Sequence, residues 1–314
     1  MNVNRPLITT VSGTIDPDEA GIVDAHNHVW IDKVPGVRAS SPVLNNFTSI
    51  SAELSDYKIA GGGSIVDCQP GGCGRNGNVL RRLADSSGVN LIACTGYHLR
   101  KYYPEDFWLF KSSVEAASQF FIRELNENLL ETKEGPVQVR AGFIKIAFEE
   151  SLEQSPVHLV EAAVAASLAT EAAIQAHTER GLNVEKITQC LLGFGLPPSR
   201  LIISHIDKRP DLGLHSSLVQ AGILLEYDTF YRPKYQPDKN LWPLIRSMVE
   251  AGLEEGITLA TDMAEPQFWM RMGGGPGLTG LIHQIIPGLE KIGLDEKSIQ
   301  KLTGKNIAQR LALN

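Results

Sequence analysis

Two histidines one residue apart close the apolar run GIVDAHNHV at residues 21–29, and they are the first side chains in this chain that could share one chemical task. Successive strand side chains point to opposite faces. Alternation therefore predicts His26 and His28 on one face with Asp24, and Val23, Ala25 and Val29 on the other. Two imidazole nitrogens converging from one strand can grip a metal ion. Alone the pair is weak evidence, because His-x-His also arises as a solvated strand end.

Other apolar runs end in matching donors: Lys145 in GFIKIAF, His177 in AAIQAHT, His205 in RLIISHI and Asp262 in ITLATDM. Lys145 falls on the same strand face as Phe143 and Ala147, with Ile144 and Ile146 on the other. An isolated ammonium in a packed interior is costly. A neutral amine can instead add carbon dioxide and become a carbamate, an anion whose two oxygens bridge two cations. Imidazoles beside carboxylate-like oxygens suit zinc first, with manganese, cobalt or iron as alternatives. His98 directly follows a third such run, whereas His158, His215 and His283 fall in helix or loop patterns and read as surface or capping residues.

The elements that must position these donors follow a repeated order. Strand-like runs near 21–29, 63–69, 90–98, 140–148, 172–178, 200–206, 222–228 and 257–263 alternate with helical patterns, the last of them DEKSIQKLTGKNIAQRLAL. Eight such units with no linker predict an α/β fold, a (β/α)8 TIM barrel, as a single domain over 1–314 with short N- and C-terminal extensions. Active sites of such barrels lie at the carboxyl ends of the strands, which is where these donors fall.

Composition narrows the partners. The 314 residues carry a net charge of −7, 43% hydrophobic and 21% charged residues, so a soluble globular chain is expected, with no electrostatic reason for nucleic acid or an anionic membrane as partner. No run of eighteen uninterrupted apolar residues and no secretory leader is legible. Cys68, Cys73, Cys94 and Cys190 form no C-x-x-C pair, and a reducing, cytoplasmic setting is expected. The glycine-rich loops GGCGRNG and GGGPG lack P-loop or dinucleotide spacing and read as mobile loops at the site mouth, with Arg75 of the first a possible substrate contact.

The ordered set IDPDEAGIVDAHNHVWID, IVDCQPGGCGRN, TGYHLRKYYP, GFIKIAF, AIQAHTERG, LIISHIDKRPD, EYDTF, LATDMAE and TGKNIAQRLAL resembles the phosphotriesterase-related branch of the amidohydrolase superfamily nearly end to end. The resemblance implies a binuclear metal-dependent hydrolase. It implies that His26, His28 and Asp262 hold the more buried ion and that His177 and His205 hold the more exposed one. A carboxylated Lys145 and a water-derived hydroxide would bridge the two ions. Lys145 and Asp262 are then the catalytic residues, Asp262 moving the proton from the attacking water to the leaving oxygen. Asp207, with Asp211 behind it, would orient a ligand from the second shell or cap a loop.

Lactone hydrolysis and phosphotriester hydrolysis are both activities of that family, and the TGYH and GGGPG segments are similar to lactonase-like members. A small polar lactone would meet Tyr97, His98, Lys234, Glu265 and Arg271, with Trp30, Arg100, Lys101, Arg232, Tyr235, Phe268 and Trp269 also following strands. Some phosphate-binding relatives carry Arg and Tyr where DMAEPQFW has Glu265 and Phe268, and a glutamate repels a phosphate dianion. This favours an unphosphorylated sugar or other small polar lactone. The alternatives are a phosphotriester or phosphorylated sugar lactone, and last a small-molecule-binding barrel without catalysis. A homodimer is the default by analogy.

Overall fold

The computed structural model describes residues 6–38, 41–135 and 137–312. A short hairpin, β1 (Ile8–Thr10) and β2 (Gly13–Ile15), precedes eight parallel strands: β3 (Ile22–Asn27), β4 (Gly62–Asp67), β5 (Asn90–Gly96), β6 (Phe143–Ala147), β7 (Ile174–His177), β8 (Leu201–Ser204), β9 (Leu224–Tyr227) and β10 (Ile257–Leu259). They pair in sequence order from β3 to β10. Helices α1 (Phe47–Ile59), α2 (Gly77–Ser87), α3 (Val114–Asn126), α4 (Val157–Thr170), α5 (Val184–Gly193), α6 (Leu212–Gln220) and α7 (Pro237–Glu250) follow successive strands. The expected (β/α)8 barrel is the observed architecture. None of the described helices is long and apolar enough to cross a membrane.

Strand alternation divides the apolar residues into two bodies. Ile144, Ile146, Ile174, Ile203, Leu225 and Leu259 face the helices. Val23, Ala25, Val66, Ile92, Phe143, Ala173, Ile202 and Leu224 fill the barrel interior, which Ile8 and the C-terminal Ile307 and Leu311 join. Above this apolar floor the interior turns polar with Lys145, Gln175, Ser204 and Glu226, each fully buried.

The first barrel strand departs from simple alternation. Val23 and Ala25, expected on the face opposite the histidines, belong to the barrel interior. The pairing of β3 with β4 slips between Asp24 and Asn27, so that three steps on β3 match two on β4. This extra residue is a β-bulge, which re-aims the following side chain. His26 therefore turns into the interior as Ala25 does, and Asp24 is instead held by Asn27 Nδ2 at 2.9 Å and by the Thr261 N–H at 3.0 Å.

Two helical expectations also change. The helical pattern KSSVEAASQFFIRELNENLLE predicts one long helix, but α3 ends at Asn126, where Glu124 accepts from the Leu130 N–H at 2.8 Å and turns the chain. After α8 (Ile286–Lys291), the terminal pattern breaks into α9 (Glu296–Gln300) and α10 (Asn306–Leu311). Gly304 lies between the last two, where a Cβ would come within 2.4 Å of the Gly21 carbonyl oxygen, so the chain passes too close to the barrel floor for any side chain.

Gly96 is the glycine that matters most for the site. It pairs with Lys145 across β5 and β6, sits at φ +104°, and a Cβ there would lie 1.9 Å from the Lys145 carbonyl oxygen. Gly96→Ala is expected to cost about 3 kcal/mol or more of stability and to reduce metal uptake by displacing Lys145. Urea unfolding and metal analysis of the same preparation check both; an unchanged midpoint refutes the packing argument.

Candidate metal centre

All six expected donors converge at the carboxyl ends of the barrel strands. His26 is in β3 and His28 just past it, Lys145 is in β6, His177 ends β7, His205 follows β8 and Asp262 follows β10. The His26 and His205 rings are 4.7 Å apart, His177 and His205 4.6 Å, and His26 and His28 5.5 Å. Asp262 Oδ1 lies 3.8 Å from His26 Nε2 and 3.9 Å from His28 Nε2. Lys145 Nζ is 3.2 Å from His26 Nε2. His205 and Asp262 both adopt left-handed backbone, at φ +63° and +48°. Such geometry is uncommon outside glycine and here turns each side chain inward at its strand end.

Each imidazole is held from behind. His26 Nδ1–H donates to Glu226 Oε1 at 2.8 Å, and His28 Nδ1–H to Gln69 Oε1 at 2.7 Å. His205 Nδ1 bonds to Asp228 Oδ2, while His177 Nε2 bonds to Glu179 Oε1 at 3.2 Å. For His26 and His28 this fixes the tautomer, because a carboxylate or amide oxygen only accepts, and it leaves Nε2 as an inward lone pair. Burial lowers the pKa of all four, His177 to about 4, so the imidazoles are neutral and able to bind a cation. Burial alone would raise Asp262, yet His26, Lys208 and Arg232 hold it well below the usual carboxylate range. Nitrogen and oxygen donors with anchored rings fit divalent metal ions, and two overlapping groups of ligand atoms around His26 lie close enough to hold one.

Glu226 and Asp228 are functional residues that the sequence reading missed. Glu226 also receives Gln175 Nε2, and Ser204 Oγ at 2.9 Å, and burial pushes its pKa up to about 7. The signal was present in GILLEYD, where two acids alternate on one face of an apolar strand. Gln69, the last residue of the second apolar run, was missed for the same reason: its role depends on another strand.

Asp207 does not touch a histidine. Its Oδ2 accepts from the Asp228 N–H at 3.0 Å, the Thr229 N–H at 2.8 Å and Thr229 Oγ1 at 2.6 Å, so it holds the loop carrying Asp228. Asp211 caps α6, accepting from the Leu214 N–H at 3.1 Å.

The donors open into a cleft of about 520 Å³, lined also by His98, Tyr102, Lys208, Arg232, Lys234, Glu265 and Phe268. His98, Lys234 and Glu265 thus face it as expected. Other expected contacts do not. Tyr97 is fully buried and packs edge-on to Phe110 in the layer outside the barrel, because the residue after Gly96 resumes the outward face. Arg271 pairs with Asp56 of α1 at 2.6 Å, and Trp269 is fully buried with Nε1 on the Met263 carbonyl. Arg75 is buried between Glu124 at 2.5 Å and Glu131 at 2.8 Å, which supply the counter-charges its burial requires. His215 is buried rather than superficial, bonded to Tyr227 Oη at 2.6 Å.

Four inward imidazoles, a buried lysine and an aspartate at the mouth of a (β/α)8 barrel define a metal-competent barrel of the hydrolase type. The chain belongs to the phosphotriesterase family, whose model matches residues 6–311. A phospho-furanose lactonase of Mycoplasmopsis synoviae is 28% identical over 97% of this chain and 91% of the relative. The phosphotriesterase homology protein of Escherichia coli is 23% identical over 93% of this chain and 98% of its own length. Among solved structures, an amidohydrolase from Mycoplasma synoviae superposes with a TM-score of 0.90 at 27% identity, covering 99% of this chain and 93% of that one. A lactonase from Listeria monocytogenes gives 0.89 at 22% identity, covering 98% and 99%, and supports the fold.

Because three side-chain donors, from His26, Gln175 and Ser204, converge on Glu226, only an acceptor-only group suits that position. Glu226→Gln places an amide N–H against a donor and is expected to weaken metal affinity by roughly 10–100-fold. Competition with a chromophoric chelator measures it, and wild-type affinity would remove Glu226 from the centre's support.

Proposed function

We propose that this protein opens a lactone ring with the aid of two divalent metal ions, zinc first among the candidates. The observation that carries the reading is the convergence of His26, His28, His177, His205 and Asp262 on one cleft, with Lys145 Nζ 3.2 Å from His26 Nε2 and each imidazole anchored by a hydrogen bond. His26, His28 and Asp262 would hold one ion and His177 and His205 the other. Lys145 would bridge them as a carbamate, its Nζ bonding to the carbon of carbon dioxide with loss of a proton. Its burial and its single hydrogen bond among the described residues, to His26, support a group whose charge balance is completed by something beyond the protein. Bound there, such ions lower the pKa of water and polarise the lactone carbonyl.

The remaining work falls to side chains. Asp262 takes the proton of the attacking water as the carbon–oxygen bond forms, and returns it to the ring oxygen as the acyl–oxygen bond breaks. His98 and Tyr102, stacked edge to face at 4.8 Å, wall one side of the cleft. Glu265 accepts hydrogen bonds from substrate hydroxyls, which favours an unphosphorylated polar lactone. A phosphorylated lactone is the second reading, favoured by Lys208 and Lys234, which approach the Tyr235 ring at 5.8 Å and 5.0 Å and both line the cleft. The free cysteines support a reducing, cytoplasmic setting.

A panel of sugar lactones, each beside its phosphorylated counterpart and with a phosphotriester as control, tests the reading by indicator-coupled hydrolysis. Turnover of the unphosphorylated lactones is expected, lost on chelation and restored by zinc or manganese. Lys145→Ala is expected to lose most bound metal and at least 100-fold in rate (order of magnitude). Short-chain carboxylic acids should restore part of it. Full activity of that variant without added acid would eliminate the bridging role, and preference for phosphorylated members would promote the second reading.

A further inference from the structure

Arg232 lies in the loop after β9, yet its contacts are to the strand-end residue Asp262. Arg232 Nη2 donates to the Asp262 main-chain carbonyl at 2.6 Å and lies 3.4 Å from the same residue's Oδ2. Its guanidinium sits 4.1 Å over the Phe268 ring, and Phe268 follows Asp262 by six residues. The loop after β9 and the loop after β10 are thus closed into a ring through one side chain.

We infer that Arg232 is the positioning residue for Asp262, holding its backbone and carboxylate in the orientation from which it carries the proton; this rests on the role proposed above for Asp262. A non-glycine residue at positive φ persists only where its surroundings over-determine it. Asp262 is constrained on the amide side by its N–H bond to the His26 carbonyl at 3.0 Å, and on the carbonyl side by Arg232. The guanidinium also distinguishes the two carboxylate oxygens. Oδ1 faces His26 and His28, and Oδ2 is turned toward Arg232 and the cleft.

Stacking on Phe268 keeps the planar guanidinium from rotating away, and Pro233 restricts the backbone of Arg232 itself. A lysine cannot reproduce this arrangement, because a single ammonium lacks the planar fork that stacks and donates at once. Substrate-anion capture is the competing role for a cleft arginine. Here Nη2 of Arg232 is already engaged by Asp262, whereas Lys208 and Lys234 line the same cleft without an ion pair to any described carboxylate within 4.0 Å.

Arg232→Met keeps bulk over Phe268 while removing the donors, and Arg232→Lys is the conservative comparison. With a neutral lactone, Arg232→Met is expected to lower kcat by roughly 10–100-fold, with KM within about threefold of wild type and metal content unchanged; Arg232→Lys should fall between. Cobalt-substituted protein supplies a readout free of turnover, since reorientation of the Asp262 carboxylate changes the visible absorption of the bound ion. A loss confined to KM, a loss of metal in proportion to rate, or an unchanged kcat and cobalt spectrum overturns the inference. If wild-type protein turns over no lactone, the spectrum decides alone: a shift in Arg232→Met sustains the positioning role while the proposed function fails, and no shift ends both.

Discussion

A backbone hydrogen bond at the barrel seam, from the Asp262 N–H to the His26 carbonyl, joins the two ends of the sheet where the regular strand ladder has stopped. Asp24 reinforces the same seam by accepting from the Thr261 N–H and hydroxyl and from Asn27. Residues more than 230 positions apart in sequence therefore become neighbours. The candidate metal centre depends on this closure, because its donors come from both sides of the seam. The β-bulge in β3 belongs to the same construction: without its extra residue, Ala25 and His26 could not both turn inward.

Polarity in the interior is arranged vertically. Small and branched side chains fill the floor, so the barrel is stabilised where no chemistry is needed. Two residues further along each strand, Lys145, Gln175, Ser204 and Glu226 replace them; Gln175 and Ser204 donate to Glu226, and Lys145 meets His26. Glu226 of this layer holds the His26 N–H, as Gln69 and Asp228 hold His28 and His205. The neutral ring nitrogens left over point upward into the cleft, so the same hydrogen bonds that satisfy the core also prepare the ligands.

Family membership and an intact donor set leave substrate choice to the loops after the strands. On one wall are His98 and Tyr102, on another Lys208, Arg232 and Lys234, and Glu265 stands in the loop after β10. Opposite charges thus face a single cleft. Arg232 is a reminder that a cationic side chain at a site mouth can serve the protein before it serves the ligand.

The sequence by itself determined the barrel and the identities of the convergent donors. Both are written in local pattern: eight apolar runs alternating with helical ones, with His26, His28, His177, His205 and Asp262 near the ends of their runs and Lys145 in the middle of its own. Side-chain direction after a strand was not legible in the same way. Tyr97 and Trp269 follow strands as His98 and Glu265 do, yet turn into the core, because one residue of rotation decides between cleft and packing layer. Arg75 and Arg271 carry charges that suit a ligand but meet Glu124, Glu131 and Asp56 first, partners from elements that no local reading brings together. The roles of Glu226, Asp228 and Gln69 were hidden for the converse reason: the alternating acids of GILLEYD and the glutamine ending the second run gain them only when closure of the barrel presents each to a histidine from another strand.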